Sequence, residues 1–439
     1  HNEAKLEIVG HLVDSNGKPA NEVFRTSGEN PVLYGTTANW KCITLRDCGC
    51  DQITYARIST EHYYANKAFM GDEFIEKESI KRIYFEIDNL DAWTGRRTFQ
   101  YLSGLRGNND KYYQMKYVTP EPIVVSLPNA NFHINFSLNT NSKVHPRQYI
   151  WTHCVVAELD FQDELNIKDM YEKYLYPLKL FFCLSIGQEV GIRNFKVCMN
   201  GVNRPVDLLL PIEDVNYHEV ATHKMLFNLR DIEDNIFEVL NSWFENNEKM
   251  RGVFDSFHAI ELTPYVEQKF SLAINAVEGY HRASYDNRVL PKSEYRAMRK
   301  RILDAVSSQD EKFVSGLLDY ANEPRLRNRL KELIDNESDI LLPLVDSFVV
   351  VDANRVDVFV KKVVNTRNGM THTGQDRSDE CFDSDELYDV TSFLIVLIEV
   401  YLFKTLGFSA DNIKKCIGRD YRYQMLMERR GEANGSKES

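Results

Sequence analysis

Residues 384–406 read SDELYDVTSFLIVLIEVYLFKTL, a polar start followed by the most apolar run of the chain. That run, residues 393–403, is far shorter than the ~20 residues that a membrane-spanning helix needs, and Glu399 interrupts it. A helix that is apolar on all sides over this length is typical of the core of a soluble protein. The sequence therefore predicts a buried helix over residues 384–406.

Helical patterns dominate the chain around this stretch, and strand signals nearly vanish after Arg251. Thr263 and Pro264 form a helix start, because a hydroxyl cap is followed by proline at the first helical position. Further helices are predicted at residues 293–308, 311–320, 325–335, 355–371 and 410–419. The C-terminal half is therefore expected to be an all-α helical bundle.

The N-terminal half shows mostly strand signals. Short runs such as residues 41–46, 82–87 and 123–127 are separated by clusters of Gly, Asn, Asp and Pro. Aromatic residues here alternate with polar ones, so most are expected in the core of a sheet and not on a base-stacking platform. We predict an α+β multidomain chain: a β-rich domain at 1–225, a helical connector at 226–251, the helical domain at 252–420 and a disordered tail at 421–439.

The charge balance limits the partners of the chain. Its 439 residues contain 53 Lys and Arg against 65 Asp and Glu, a net charge of −12. An acidic chain of this kind is not expected to coat DNA or anionic membrane without specificity, so any nucleic-acid contact must be local. The start of the sequence carries no export-signal pattern, and a cytoplasmic location without membrane attachment is expected.

The eight cysteines are scattered through a large chain, which favours reduced thiols over disulfides. Cys42, Cys48 and Cys50, with His153 or Cys154 as a fourth ligand, have the residue types of a tetrahedral zinc site. Their C-x5-C-x-C spacing is not that of a standard zinc ribbon, and buried strand thiols are commoner. The sequence leaves both interpretations open.

Residues 367–372 read RNGMTH and carry the clearest chemical signal, at the end of the predicted helix 355–371. In metal-free RNA cleavage the 2′-hydroxyl attacks the neighbouring phosphate, which requires a proton acceptor and donor near neutral pH and a fixed cation. Histidine supplies the first and arginine the second. On a regular helix, however, Arg367 and His372 point about 140° apart. The pair therefore needs an unwound turn near Gly369 or a second copy of the chain.

Similar spacings occur elsewhere, so context must separate them. The other pairs are Arg57/His62, Arg147/His153 and Arg251/His258. The first two lie in the β-rich half and the third at a domain junction, and each is interpreted as incidental. Only Arg367/His372 lies at the end of a predicted helix in the all-helical domain. It is also the pair in which asparagine directly follows the arginine.

The motif resembles the R-N-x-x-x-H signature of HEPN ribonucleases, and the whole chain resembles the ApeA-type HEPN proteins of bacterial phage defence. The helix segment AVEGYHR at 276–282 is similar to the opening helix of their HEPN domain. Upstream, FMGDEF at 69–74, FEIDNLDAW at 85–93 and MLFNL at 225–229 are similar to their N-terminal domain. No position of the catalytic signature departs from the family pattern.

The resemblance implies a metal-independent endoribonuclease without a cofactor, acting as a homodimer on RNA, with tRNA as the expected substrate. By position, Arg367 is the phosphate-stabilising cation, His372 the general acid or base, and Asn368 a polar group that orients phosphate or partner. Glu278 and His281 could support the active site, or Glu278 could simply pair with Arg282. The β-rich domain is expected to sense a phage-derived trigger. The alternative is a non-catalytic HEPN-like module that binds RNA or a protein.

Overall fold

The computed structural model describes residues 4–9, 32–54, 60–106, 110–145, 148–212, 215–371 and 380–435. The chain divides into two compact units. The N-terminal unit comprises His1–Ile186, Val190–Thr222 and Asn228–Asn241, and the C-terminal unit comprises Gly187–Glu189, His223–Phe227 and Ser242–Ser439.

The described part of the N-terminal unit is built on a ten-stranded antiparallel sheet with a separate two-stranded hairpin. The strands are β1 (Ala4–Val9), β2 (Leu33–Thr36), β3 (Cys42–Thr54), β4 (Thr60–Gly71), β5 (Ile80–Ile87), β6 (Phe99–Arg106), β7 (Asp110–Tyr117), β8 (Ile123–Leu127), β9 (Ala130–His145), β10 (Gln148–Leu165), β11 (Ile192–Met199) and β12 (Val206–Leu209). The order in the large sheet is β2-β3-β4-β12-β11-β5-β10-β9-β8, β1 pairs with β4, and β6 pairs with β7.

One face of the large sheet is covered by helices and carries the core of this unit. The helical segments are α1 (Leu90–Thr94), α2 (Ile167–Met170), a π-helical turn (Tyr171–Leu175) and α3 (Tyr176–Ile186). The Phe182 ring of α3 lies 5.1 Å from the Trp93 ring and 6.4 Å from the Phe132 ring of β9. Because the side chains of a strand alternate between faces, the apolar residues of β9 meet α3 on one side only.

The described part of the C-terminal unit is helical. Two helices precede it in the chain: α4 (Leu229–Ile232) belongs to the N-terminal unit, and α5 (Ile236–Asn247) begins in that unit and ends in the C-terminal one. The remaining helices all belong to the C-terminal unit. They are α6 (Arg251–Leu262), α7 (Val266–Ser284), α8 (Lys292–Ala305), α9 (Glu311–Leu318), α10 (Leu326–Asn336), α11 (Ser338–Val345), α12 (Arg355–Thr371), α13 (Ser384–Thr405), α14 (Ala410–Ile417) and α15 (Tyr421–Gly435).

Helix α13 confirms the buried helix that the sequence predicted. The Asp383 side chain accepts hydrogen bonds from the backbone of Asp385 and Glu386, and the Glu386 carboxylate accepts one from the Asp383 N–H, which forms a capping box. Residues from Val390 to Phe403 are buried. Among the described residues, no helix is both long enough and apolar enough to cross a lipid bilayer.

A helix, α15, occupies most of the region predicted to be a disordered tail. Although α15 is mostly polar, Leu426 and Arg422 attach it to the rest of the unit. Leu426 is fully buried, and its carbonyl accepts a hydrogen bond of 3.0 Å from the Ser347 hydroxyl. The Arg422 guanidinium lies 2.6 Å from the Glu399 carboxylate of α13. The tail prediction was wrong for residues 421–435 because these contacts depend on partners distant in sequence; residues 436–439 lie outside the described part of the chain.

The fold class predicted from the sequence is confirmed: a β-rich N-terminal region precedes an all-helical C-terminal region. Predicted segments 82–87 and 123–127 coincide with β5 and β8, and 355–371 coincides with α12. Strand 41–46 extends further, because β3 continues to Thr54.

Candidate active site

Helix α12 positions the residues of the RNGMTH motif. Phe359, Val360 and Val363 are fully buried, and the Phe359 ring lies 4.8 Å from the Phe393 ring of α13. Thr366 is 4% exposed and continues the same stripe, since positions 359, 363 and 366 fall on one helical face. This packing fixes the rotation of α12 and therefore the direction of the residues that follow.

Arg367 and Asn368 lie where this buried stripe meets the solvent. The Arg367 side chain is half-buried, and Asn368 is exposed. The Arg367 Nη1 donates a hydrogen bond of 3.3 Å to the Asn368 Oδ1. A guanidinium beside apolar packing is less screened by water than one on an open surface, so its attraction for a phosphate is stronger.

His372 lies outside the described residues, directly after Thr371, the last residue of α12. The chain is described again from Glu380. The structure therefore places two residues of the three-residue motif, and the position of the imidazole relative to Arg367 stays a prediction.

Residues Glu380 and Phe382 return to α12 and contact its C-terminal half. The Glu380 carboxylate accepts hydrogen bonds from Lys361 at 2.7 Å and Asn365 at 3.0 Å. The Phe382 N–H donates to the Thr366 hydroxyl at 2.9 Å. Residues 372–379 therefore follow α12 directly, and the chain after them, at Glu380 and Phe382, is held against the same helix within two turns of Arg367.

The charges around this part of α12 are organised in pairs. Hydrogen bonding to Lys361 holds the pKa of the Glu380 carboxyl below its ordinary value. Lys362 forms an ion pair of 2.8 Å with Glu386, and its ammonium lies 4.4 Å above the Phe382 ring. Sequence reasoning missed Thr366 and Glu380, because their partners lie 15 and more residues away along the chain. The one signal that the sequence offered near these residues was the Asp383–Glu386 spacing, which is typical of a capping box and marks the start of α13.

Glu278 and His281, the predicted supporting residues, lie on α7. The Glu278 carboxylate accepts a hydrogen bond of 3.0 Å from Arg282, one turn later on the same helix. His281 is completely buried: Arg329 donates to its Nδ1 at 2.9 Å, and its Nε2 lies 2.9 Å from the Glu332 carboxylate. Because guanidinium can only donate, the ring carries its proton on Nε2. These contacts tie α7 to α10, and a role of either residue in catalysis stays a prediction.

The other arginine–histidine pairs have different surroundings. Arg57 and Arg147 lie outside the described residues. His153 of β10 shares a hydrogen bond of 2.9 Å with the Tyr117 hydroxyl. Arg251 pairs with Asp255 on the same helix at 3.2 Å.

Of the cysteines considered for a zinc site, Cys42 and Cys48 cannot bind the same metal ion. Cys42 and Cys48 lie six residues apart in strand β3, which separates their Cα atoms by about 20 Å. Thiolates that bind one zinc ion each lie about 2.3 Å from it. Burial raises the pKa of the Cys48 thiol to about 11, so this group is a protonated core residue. The side chain of Cys50 lies outside the described residues.

Comparison with family models covers nearly the whole chain. The model described as Apea-like HEPN matches residues 272–412, which include most of α7, all of α12 and the RNGMTH motif. The model described as ApeA N-terminal domain 1 matches residues 1–243. No curated protein and no solved structure gives a significant match. The two matches confirm the family predicted from the sequence. The chain belongs to the ApeA-type HEPN proteins, effectors of anti-phage defence whose helical domain is generally a ribonuclease fold.

Proposed function

We propose that this protein is a metal-independent endoribonuclease with Arg367, Asn368 and His372 in its active site. The observation that carries the proposal is the placement of Arg367 on α12, half-buried at the boundary of core and solvent and hydrogen-bonded to Asn368. Both residues belong to the R-N-x-x-x-H signature, within the segment that matches the Apea-like HEPN model.

The proposed reaction needs only side chains of the protein. The 2′-oxygen of one nucleotide bonds to its own 3′-phosphorus, and the bond from that phosphorus to the 5′-oxygen of the next nucleotide breaks. An imidazole takes the 2′-hydroxyl proton, and an imidazolium returns a proton to the leaving 5′-oxygen. Arg367 stabilises the negative charge that develops on the phosphorane. The products carry a 2′,3′-cyclic phosphate and a 5′-hydroxyl.

The spacing of the motif supports a homodimer. Residues five apart on a regular helix point about 140° away from each other, so one copy of a continuous helix does not direct both groups at one phosphate. Two helical domains that face each other bring the arginine of one copy near the histidine of the other. We therefore place two motifs in one cleft between two copies.

We propose tRNA as the substrate and a phage-derived molecule, sensed by the N-terminal unit, as the trigger. The family's role in anti-phage defence supports an activity directed at RNA of the infected host. The net charge of −12 means that RNA must be recognised locally. Exposed cations on α8, Arg296, Lys300 and Arg301, offer one such surface in the C-terminal unit.

The experiment compares purified full-length protein with Arg367→Ala and His372→Ala on total tRNA, with and without chelator. We expect each variant to lose about a hundredfold or more of the cleavage rate, because each removes one element of proton transfer or charge stabilisation. Arg288→Ala, which removes an exposed arginine outside both the motif and α8, is the control for loss of a cation. The same proteins are compared for growth arrest in phage-infected bacteria, where the trigger is supplied.

Full cleavage by the Arg367→Ala/His372→Ala double variant would overturn the proposal. Loss of wild-type cleavage on adding chelator would instead indicate a metal-dependent nuclease. Tight RNA binding without cleavage or growth arrest in infected cells would favour the non-catalytic binding module.

A further inference from the structure

The β6–β7 hairpin of the N-terminal unit differs from the rest of the sheet structure, because its side chains are mainly exposed. It forms a two-stranded sheet of its own, in which Phe99 faces Tyr117, Tyr101 faces Met115 and Ser103 faces Tyr113. A two-stranded hairpin buries little apolar surface and contributes little to a core.

One face of this hairpin is an aromatic surface. Cross-strand partners and residues two apart share a face, which places Phe99, Tyr101, Tyr113, Met115 and Tyr117 together. Tyr101 is 64% exposed and Tyr113 69% exposed, and their ring centroids lie 6.2 Å apart. The sequence predicted that most of the N-terminal aromatic residues lie in the sheet core. Phe85 and Phe132 do so, whereas Tyr101 and Tyr113 of this face are exposed exceptions.

The base of the hairpin is anchored, so the aromatic face is held on the unit. The Tyr117 hydroxyl shares a hydrogen bond of 2.9 Å with His153 of β10. The Val118 N–H donates to the Thr98 carbonyl at 2.9 Å, and the Thr98 side chain is 4% exposed. The rings of Phe99 and Tyr117 lie 5.2 Å apart, edge to face. The exposed rings therefore extend from a fixed base.

The charge of this segment is opposite to that of the chain. Residues 96–118 contain five Lys and Arg and one Asp, in a chain of net charge −12. Arg97, Lys111 and Lys116 are exposed, and none of them forms an ion pair with another described side chain. Lys111 lies two residues from Tyr113 and shares its face. Exposed cations beside exposed tyrosines form a surface for a ligand that is both anionic and aromatic.

We propose that the β6–β7 hairpin docks single-stranded nucleic acid. Unpaired bases stack on Tyr101 and Tyr113, while Arg97 and Lys111 contact the phosphates. Stacking on aromatic side chains with cations along the backbone is how proteins hold single strands without reading their sequence. A duplex keeps its bases stacked inside and offers only its phosphates to this face. An acidic peptide would meet the cations but would leave the tyrosine rings without planar partners.

This proposal does not depend on the nuclease proposed above. Docking is measured with the full chain carrying His372→Ala, so that cleavage does not consume the probe. The probes are a short fluorescein-labelled single-stranded RNA, a DNA strand of the same sequence and the corresponding duplex. Fluorescence anisotropy is recorded over a series of salt concentrations, and the RNA and DNA arms identify which nucleic acid is preferred.

Tyr101→Ala/Tyr113→Ala is expected to weaken single-strand binding by about tenfold or more, because two stacking surfaces are lost. Tyr101→Phe/Tyr113→Phe keeps both rings and should bind like the parent. Tyr320→Ala removes a tyrosine that is 76% exposed in the other unit and is the matched control. Lys111→Ala should lower the salt dependence, since one lost phosphate contact reduces the slope by about 0.7. Lys116→Ala removes an exposed lysine from the opposite face of the hairpin and should leave the slope unchanged.

Equal binding by the parent and by Tyr101→Ala/Tyr113→Ala would overturn the proposal, as would absence of single-strand binding at low salt or preference for the duplex. Circular dichroism of each variant shows whether its fold is kept; these side chains are exposed, so we expect no change. If His372→Ala loses cleavage and keeps docking, both proposals are supported separately. If the unmodified protein docks single strands but cleaves no RNA, only the nuclease proposal is refuted.

Discussion

The buried contacts of Arg422 with two carboxyl groups make the stability of the C-terminal unit depend on one side chain. The Arg422 side chain is 6% exposed and lies 2.6 Å from the Glu399 carboxylate and 2.9 Å from the Asp420 carboxylate. Burial raises the pKa of Glu399 well above its ordinary value, while Arg422 lowers the pKa of Asp420 despite burial. We interpret this as a neutral Glu399 that hydrogen-bonds to a charged Asp420, which in turn pairs with Arg422.

Replacing Arg422 by methionine is expected to cost about 3–5 kcal/mol of unfolding free energy, because the Asp420 charge stays buried without its cation. Methionine keeps the apolar stem of arginine, so the loss of volume contributes little. Lys404→Met is the matched control. Lys404 pairs with Glu337 but is 50% exposed, and an exposed pair contributes about 1 kcal/mol or less.

Urea unfolding followed by helical circular dichroism measures Arg422→Met, the control Lys404→Met, Glu399→Leu and the double variant Arg422→Met/Glu399→Leu, which completes the cycle of Arg422 and Glu399. The double variant should lose less stability than the two single losses added together, since these residues interact directly. A loss below about 1 kcal/mol for Arg422→Met, equal to that of Lys404→Met, would refute the buried ion-pair argument.

Three further outcomes follow from the same structure. Thr366→Val removes the acceptor of the Phe382 N–H, so it should slow tRNA cleavage and lower the free energy of unfolding by about 1–3 kcal/mol. Thr366→Ser keeps the hydroxyl and should retain both cleavage and stability. Equal cleavage by both variants in the tRNA assay would contradict a role for this contact. Asp383→Ala deletes the capping box of α13 and should cost about 1 kcal/mol by urea unfolding, with Asp383→Asn close to the parent. Because the pKa of Glu399 is raised in the folded state, its contribution to stability is complete below the ordinary glutamate pKa and is lost as pH rises through the folded pKa. The stability of Glu399→Gln relative to the parent should therefore increase with pH, and urea midpoints that fall in parallel for both proteins would contradict this assignment.

Local sequence patterns predicted much of the helical half of the protein. Helix α12 is described over Arg355–Thr371, the range that its pattern indicated, and α13 begins after Asp383 because capping residues and apolar spacing act within one or two turns. The same locality made Arg367 and Asn368 recognisable, since the signature spans six consecutive residues. These features depend on neighbours along the chain, so the sequence displays them directly.

Features formed by distant residues needed the tertiary structure. Arg422 and Glu399 are 23 residues apart, and Tyr117 and His153 are 36 residues apart. The alternation of aromatic and polar residues in β6 and β7 is the same whether another layer covers the face or solvent does. Periodicity determines which residues share a face, whereas burial is decided by the elements that pack against it. For this reason the sequence by itself determined the fold class, the start of α13 and the RNGMTH motif. Only the tertiary structure placed the start of α7 at Val266 and not at Pro264, α15 on the bundle and the tyrosines of the hairpin in solvent.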